Sequence, residues 1–161
     1  MTKLIIADSG STRTDWAVVS DGQPPKFYTT VGLNPALPSP LPQIESLHHE
    51  LHTTLRECDE VKFYGAGVSD ITRKSIVERW FYKQYKNLKT IDVASDMLGA
   101  CRACAGDKMG IISIIGTGSN SCVYNGEAII DNIPSMGYSL GNEGAGTEIG
   151  KAILQSYFYR Q

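Results

Sequence analysis

Three short stretches of this chain hold residue types that can do chemistry at a workable spacing. In the first, the apolar run Leu4–Ala7 ends in Asp8, followed by Gly10, Ser11, Thr12 and Arg13. A carboxylate at a strand end can hold Mg2+ through water. The N–H groups of the turn, its hydroxyls and Arg13 are donors suited to phosphate oxygens. Taken alone, the same residues also suit a hairpin with a polar tip. The second stretch is Gly116-Thr117-Gly118-Ser119-Asn120, where the glycines let backbone approach a ligand and the other three supply hydrogen bonds. A single G-x-G is a weak signal. Two such loops, each following an apolar strand, point to a triphosphate clamped from both sides of a cleft. The third is Asp96, at the junction between an apolar strand and a helix. It suits a helix N-cap or first turn as well as it suits a general base at a cleft edge.

Other motifs carry less. The segment from Gly137 to Lys151 lacks a P-loop, because Ala145 stands at the first glycine and Ala152 follows Lys151. Ile149 stands where a dinucleotide fingerprint needs its last glycine. What remains is a glycine loop that carries Asn142 and Glu143 into a helix N-terminus suited to hydroxyl and anion contacts. His48 and His52, four residues apart in HHELH, read as a solvated polar helix face. Cys101 and Cys104 form a C-x-x-C with no second pair or histidine to complete a metal site. Their small neighbours at helical spacing predict packed, buried thiols.

The elements that must position these residues follow from apolar periodicity. Strands are expected at 3–7, 16–20 and 26–32, joined by short turns into an antiparallel meander. A proline-rich loop covers 33–42, and a helix over 41–57 carries Ile44, Leu47, Leu51 and Leu55 on one face. Next come a strand at 61–67, a helix over 69–85 capped by Ser69 or Asp70, a strand at 90–95 and a helix at 96–105. This order argues for an α/β lobe, a mixed five-stranded sheet flanked by helices with its last strands parallel. From 110 the pattern restarts as strand, glycine loop and a hairpin around Asn125-Gly126. We read an internal duplication, with a first lobe at 1–109 and a second beginning at 110–161. A second lobe of about fifty residues cannot bury a full core, so the chain is expected to be truncated.

Composition narrows the partners. The 161 residues carry a net charge of −2 and no basic footprint, which argues against nucleic acid. No apolar run approaches the roughly 20 residues that span a bilayer, and the N-terminus does not read as a signal peptide. A cytoplasmic protein without membrane contact is expected.

Six stretches in order, DSGSTRTDW, GLNP, YGAG, SDMLGA, GTGSNSCVYNG and GYSLGNEGAGTEIG, closely resemble the BadF/BadG-type ATPase and N-acetylglucosamine kinase family, and most of all its bacterial kinases. That family sits in the actin-like superfamily of sugar kinases and heat-shock chaperones. The resemblance implies ribonuclease-H-like lobes with ATP and an amino sugar in the cleft between them. Asp8 would hold Mg2+ through water, with Gly10, Ser11, Thr12 and Arg13 as the first phosphate loop and Gly116, Thr117 and Gly118 as the second. Asn34, Ser119, Asn120, Met136, Gly137, Asn142 and Glu143 would surround the sugar, and Asp96 would take the proton from its 6-hydroxyl. The resemblance also implies a small-molecule partner and leaves a homodimer open. The chain departs from the family at Asn142, where Asp is usual, and at Met136, where vertebrate relatives carry Trp. Family members also continue beyond this length, through an adenosine-binding segment. A sensor that binds without turnover, or an ATPase serving a partner redox enzyme, are the competing expectations.

Overall fold

The computed structural model describes residues 3–38, 41–42, 48–133 and 136–159. The chain divides into two compact units, Met1–Gly99 and Ala100–Gln161. The first unit contains β1 (Lys3–Ser9), β2 (Arg13–Ser20), β3 (Gln23–Val31), α1 (His49–Leu55), β4 (Glu60–Gly65), α2 (Ile71–Gln84), β5 (Thr90–Ser95) and the start of α3 (Asp96–Ala105). Its five strands lie in the order β3-β2-β1-β4-β5. β1–β3 form the expected antiparallel meander, while β4 runs parallel to β1 and β5 parallel to β4.

Strand alternation explains which face is buried. Ile5, Ala7 and Ser9 of β1 are fully buried while Asp8 between them is exposed. On that inner face Trp16, Val61, Phe63 and Val93 join Leu51 and Leu55 of α1 and Val77, Phe81 and Tyr85 on the α2 side in one core. The ring of Phe81 is the hub, in edge contact with Trp16 at 6.4 Å and Phe63 at 5.8 Å between centroids. α2 is capped by Asp70, whose carboxylate accepts from the Arg73 N–H at 2.9 Å.

Two expectations need correction here. β2 begins at Arg13 rather than at 16, because its polar residues alternate with buried ones instead of forming a turn. The HHELH segment is not a solvated face. His48 caps α1 by accepting from the Leu51 N–H at 3.3 Å. His52 is buried, with its Nδ1 3.0 Å from the Tyr85 hydroxyl. Of the helix expected over 41–57, the described part is His49–Leu55; Ile44 and Leu47 lie outside the described residues, as do Ser39 and Pro40 of the proline-rich loop and Arg160 and Gln161.

The second unit holds the rest of α3, then β6 (Met109–Ile115), β7 (Ser119–Asn125), β8 (Ile129–Ile133), α4 (Gly137–Leu140) and α5 (Gly146–Tyr159). β6, β7 and β8 form an antiparallel sheet in that order. The β7–β8 turn is as expected. The Asn125 side chain accepts from the N–H groups of Glu127 and Ala128 at 2.9 and 2.8 Å. Gly126 has φ +99, and a Cβ there would lie 2.2 Å from the Asp107 carbonyl, so only glycine fits. Cys101 packs on Cys122 with the sulfurs 3.4 Å apart. Cys104, expected to be buried, is exposed, as are Arg102 and Ala103 before it on the helix. No residue of α5 is buried.

Candidate functional site

In the first unit the predicted residues gather at the C-terminal ends of the parallel strands, the edge where open α/β sheets bind ligands. Asp8 is the penultimate residue of β1, in register with Asp15 on β2 and Tyr64 on β4. The β1–β2 turn is closed by the Gly10 N–H donating to the Arg13 carbonyl at 2.8 Å. Within it the hydroxyls divide by alternation. Ser9 and Thr14 point inward: their hydroxyls are 2.7 Å apart, the Ser9 oxygen accepts from the Leu33 N–H, and Thr14 donates to the Val31 carbonyl. Ser11, Thr12 and Arg13 remain exposed.

Two further segments brace that turn. The Gly32 N–H donates to the Thr12 carbonyl at 2.9 Å, and a Cβ on Gly32 would sit 2.4 Å from the Gly10 carbonyl. Asn34, expected beside the sugar, is buried and bonded within the protein. Its amide donates to the Ser11 hydroxyl at 2.9 Å, and its carbonyl accepts from the Ala36 N–H at 2.8 Å. The structure therefore joins GLNP to the first loop directly.

Asp96 opens α3 half-buried. The cap it was equally suited to provide comes from Ser95, whose hydroxyl accepts from the Leu98 N–H at 3.2 Å. The Asp96 carboxylate accepts only from the adjacent Met97 N–H among the bonds described, at 2.8 Å. It is near enough to act on Asp8. The Asp8 carboxyl is raised above its ordinary range, first by desolvation at the strand tips, then by the fields of Asp96 and Asp15, with Arg13 opposing. A divalent cation would relieve that repulsion, and Mg2+ characteristically takes one or two carboxylates and keeps its waters. Among the described residues no group of three or more His, Cys, Asp or Glu could cage a metal. The donor set therefore fits a water-bridged Mg2+ at Asp8, not an all-protein site.

In the second unit the Gly116–Gly118 turn is closed by the Gly116 N–H donating to the Gly118 carbonyl at 2.8 Å. The turn is stapled to α5. The Gly146 N–H donates to the Gly116 carbonyl at 2.9 Å and the Thr147 N–H to the Thr117 carbonyl at 3.2 Å. This corrects the expectation of an anion-binding helix end, since these first donors of α5 hold protein carbonyls. Asn142, in the left-handed region at φ 72 and buried, accepts the Ser119 N–H at 3.2 Å. Asparagine tolerates that backbone better than most residues.

A cavity of about 280 Å³ lies in this unit. Ser119, Asn120, Met136 and Glu143 line it, while Asn142 and Gly137 are not among its lining residues. Ser113, Ser121, Ile115 and Ile133 line it too, and sequence reading missed them. The signal was the β6–β7 register, which sets Ser113 opposite Ser121 and Ile115 opposite Ser119. A depression of about 500 Å³ lined by residues of α2 alone holds none of the predicted residues.

No protein-family model matches the chain, and no curated protein matches it. Among solved structures it is similar to a protein of Porphyromonas gingivalis provisionally named an N-acetylglucosamine kinase, with 35% identity and a TM-score of 0.83 over 98% of this chain. The chain belongs to the BadF/BadG-type ATPase and N-acetylglucosamine kinase family. A second solved structure, from Chromobacterium violaceum and provisionally named in the same way, shares 19% identity with a TM-score of 0.68 over the whole chain. MreB5 of Spiroplasma citri, solved bound to ADP, shares the fold alone, at 11% identity and a TM-score of 0.57 over 83% of this chain. The chain spans 57%, 60% and 51% of these three proteins respectively. Among the described residues no helix is long and apolar enough to cross a membrane.

Proposed function

We propose that this protein is an ATP-dependent kinase for an amino sugar, with N-acetylglucosamine and its 6-hydroxyl as the leading acceptor. One observation carries the reading most strongly. Ser95 supplies the helix cap, which leaves the half-buried Asp96 carboxylate beside the strand edge that presents Asp8. Phosphoryl transfer needs little covalent help from the protein, so positioning and charge do most of the work. In this proposal Mg2+ held through water at Asp8 would neutralise charge on the phosphates. Ser11, Thr12 and Arg13 donate to phosphate oxygens from their exposed positions on the turn. Asp96 orients the sugar hydroxyl and accepts its proton as the oxygen attacks the terminal phosphorus, with ADP leaving. The Gly116–Gly118 turn is proposed as the second phosphate loop, and the cavity lined by Ser119, Asn120, Met136 and Glu143 as the sugar site. Its serine hydroxyls suit sugar hydroxyls, and Ile115, Ile133 and Met136 suit an acetyl methyl group. The protein works in the cytoplasm.

The test is ADP release by the complete gene product, supplied in turn with N-acetylglucosamine, glucosamine and other hexosamines. Release that depends on one amino sugar, with a matching phosphorylated product by mass spectrometry, is the expected result. No release with any hexosamine would overturn the kinase reading. A non-catalytic sensor is the second reading, favoured by Asn142, which is committed to the Ser119 N–H where the family usually carries a charge. Tight sugar binding without product would select it.

A further inference from the structure

Arg13 has two carboxylates within reach. Asp8 and Asp15 face each other across the β1–β2 pair, and Thr29 on β3 is the next partner of Asp15. Arg13 lies two residues before Asp15 on the same strand, so Arg13, Asp8, Asp15 and Thr29 share one face of the sheet. The structure shows how that competition is settled. Arg13 Nη2 stands 2.8 Å from Asp15 Oδ2, and the Thr29 hydroxyl donates to Asp15 Oδ1 at 2.8 Å. One oxygen of Asp15 holds the guanidinium, and the other is used to hold Asp15 itself.

Stability does not account for this arrangement. The two side chains are 69% and 47% exposed, and exposed ion pairs add little to folding. Placement does account for it. Without Asp15, the guanidinium on the turn would find Asp8 diagonally across the strand pair. There it would cancel the charge that, on the kinase reading, keeps a cation at the strand tip. We propose that Asp15 is a positioning residue that holds the Arg13 guanidinium off Asp8, so that Arg13 serves phosphate oxygens while Asp8 serves the divalent cation. The inference rests on the kinase reading and extends it to two residues, Asp15 and Thr29. The electrostatics agree with the geometry: of the named influences on the Asp8 carboxyl, Arg13 is the smallest and the only one that lowers it. A guanidinium has five donors, and a single contact with Asp15 leaves others for a ligand.

The experiment measures Mn2+ binding to the complete gene product in the presence of ATP and without sugar, by electron paramagnetic resonance, so no turnover is needed. Asp15→Asn is expected to weaken Mn2+ binding about ten-fold, the size of one pK unit of interaction between neighbouring charges. Thr29→Val is expected to shift it the same way by less. The decisive arm is the double variant. In an Arg13→Ala background, Asp15→Asn should cost nothing further, because no guanidinium is left to invade Asp8. The same loss with and without Arg13, or no loss in either single variant, overturns the proposal. An Asp15→Asn protein that does not fold hands the test to Thr29→Val in the same two backgrounds. Failure of the kinase reading looks different: there Asp8→Asn would leave Mn2+ binding intact.

Discussion

The Asp8 carboxyl is raised by burial and by the fields of Asp96 and Asp15, so its ionised form is less stable in the folded chain than in the unfolded one. A raised carboxyl binds its proton more tightly when folded. Its cost is therefore present at neutral pH and is relieved as the pH falls through the raised value toward the ordinary 3.8. Asp8→Asn should then raise the thermal midpoint at pH 7, with the gain shrinking as the pH drops through that window, while Mg2+-dependent ATP binding is lost. A lower midpoint at pH 7 would contradict this account of Asp8. The thiols make a second residue-scale case. Burial pushes the Cys58 thiol to about 11, and burial with the Cys122 contact pushes Cys101 to about 12, which keeps both from forming the reactive thiolate. A thiol reagent applied to the native chain should modify Cys104 first, with Cys58 and Cys101 reacting only on unfolding. Rapid labelling of Cys101 would contradict it. At this scale the sequence singled out Asp8, Asp96 and the hydroxyls of the turn, and the fold sets Asp8 and Asp96 at the C-terminal ends of the parallel strands. The sequence could not separate Ser9 and Thr14 from Ser11 and Thr12, since that division depends on which side of β1 and β2 faces the core.

Elements were legible where one physical signal dominated. β1, β4, β5 and the β6–β7–β8 series were readable because apolar residues alternate or run continuously, and the Asn125-Gly126 turn because φ at Gly126 demands glycine. The start of β2 was misread, since polar residues on an exposed strand face look like a turn. The histidine helix was misread for the opposite reason: a buried His52 paired with Tyr85 carries the same letter as a solvated one. Gly32 shows how elements build the site. It is the contact point between the segment after β3 and the β1–β2 turn, and a methyl group there would meet the Gly10 and Ser11 backbone at 2.4 to 2.5 Å. Backbone cannot yield as a side-chain tip can. Gly32→Ala should destabilise the chain by about 1–3 kcal/mol, as overpacking does, and weaken ATP binding with it. Denaturant unfolding that shows no loss would mean the turn is not braced there.

At the scale of the whole molecule, the two units differ in how much they bury. The first surrounds Phe81 with a continuous aromatic and aliphatic core. The second buries Cys101, Ile112, Cys122, Tyr124 and Ala145, and leaves Ile111, Ile115, Ile133 and the apolar residues of α5 exposed. Local stability follows burial. In this 161-residue chain, amide hydrogens of β1 and β4 should therefore exchange far more slowly than those of β6–β8. Equal protection in the two sheets would contradict it. The restart expected at 110 corresponds to β6–β7–β8, an antiparallel series like β1–β2–β3. The measurement that tests the central claim most directly is the turnover of Asp96→Asn in the complete gene product, set beside its affinity for ATP. The account predicts a fall in kcat of about a hundred-fold or more, the usual worth of a positioned base, with ATP affinity within a few-fold of the parent. Turnover close to the parent's would show that Asp96 does not orient the acceptor, and the kinase mechanism argued from this strand edge would be wrong.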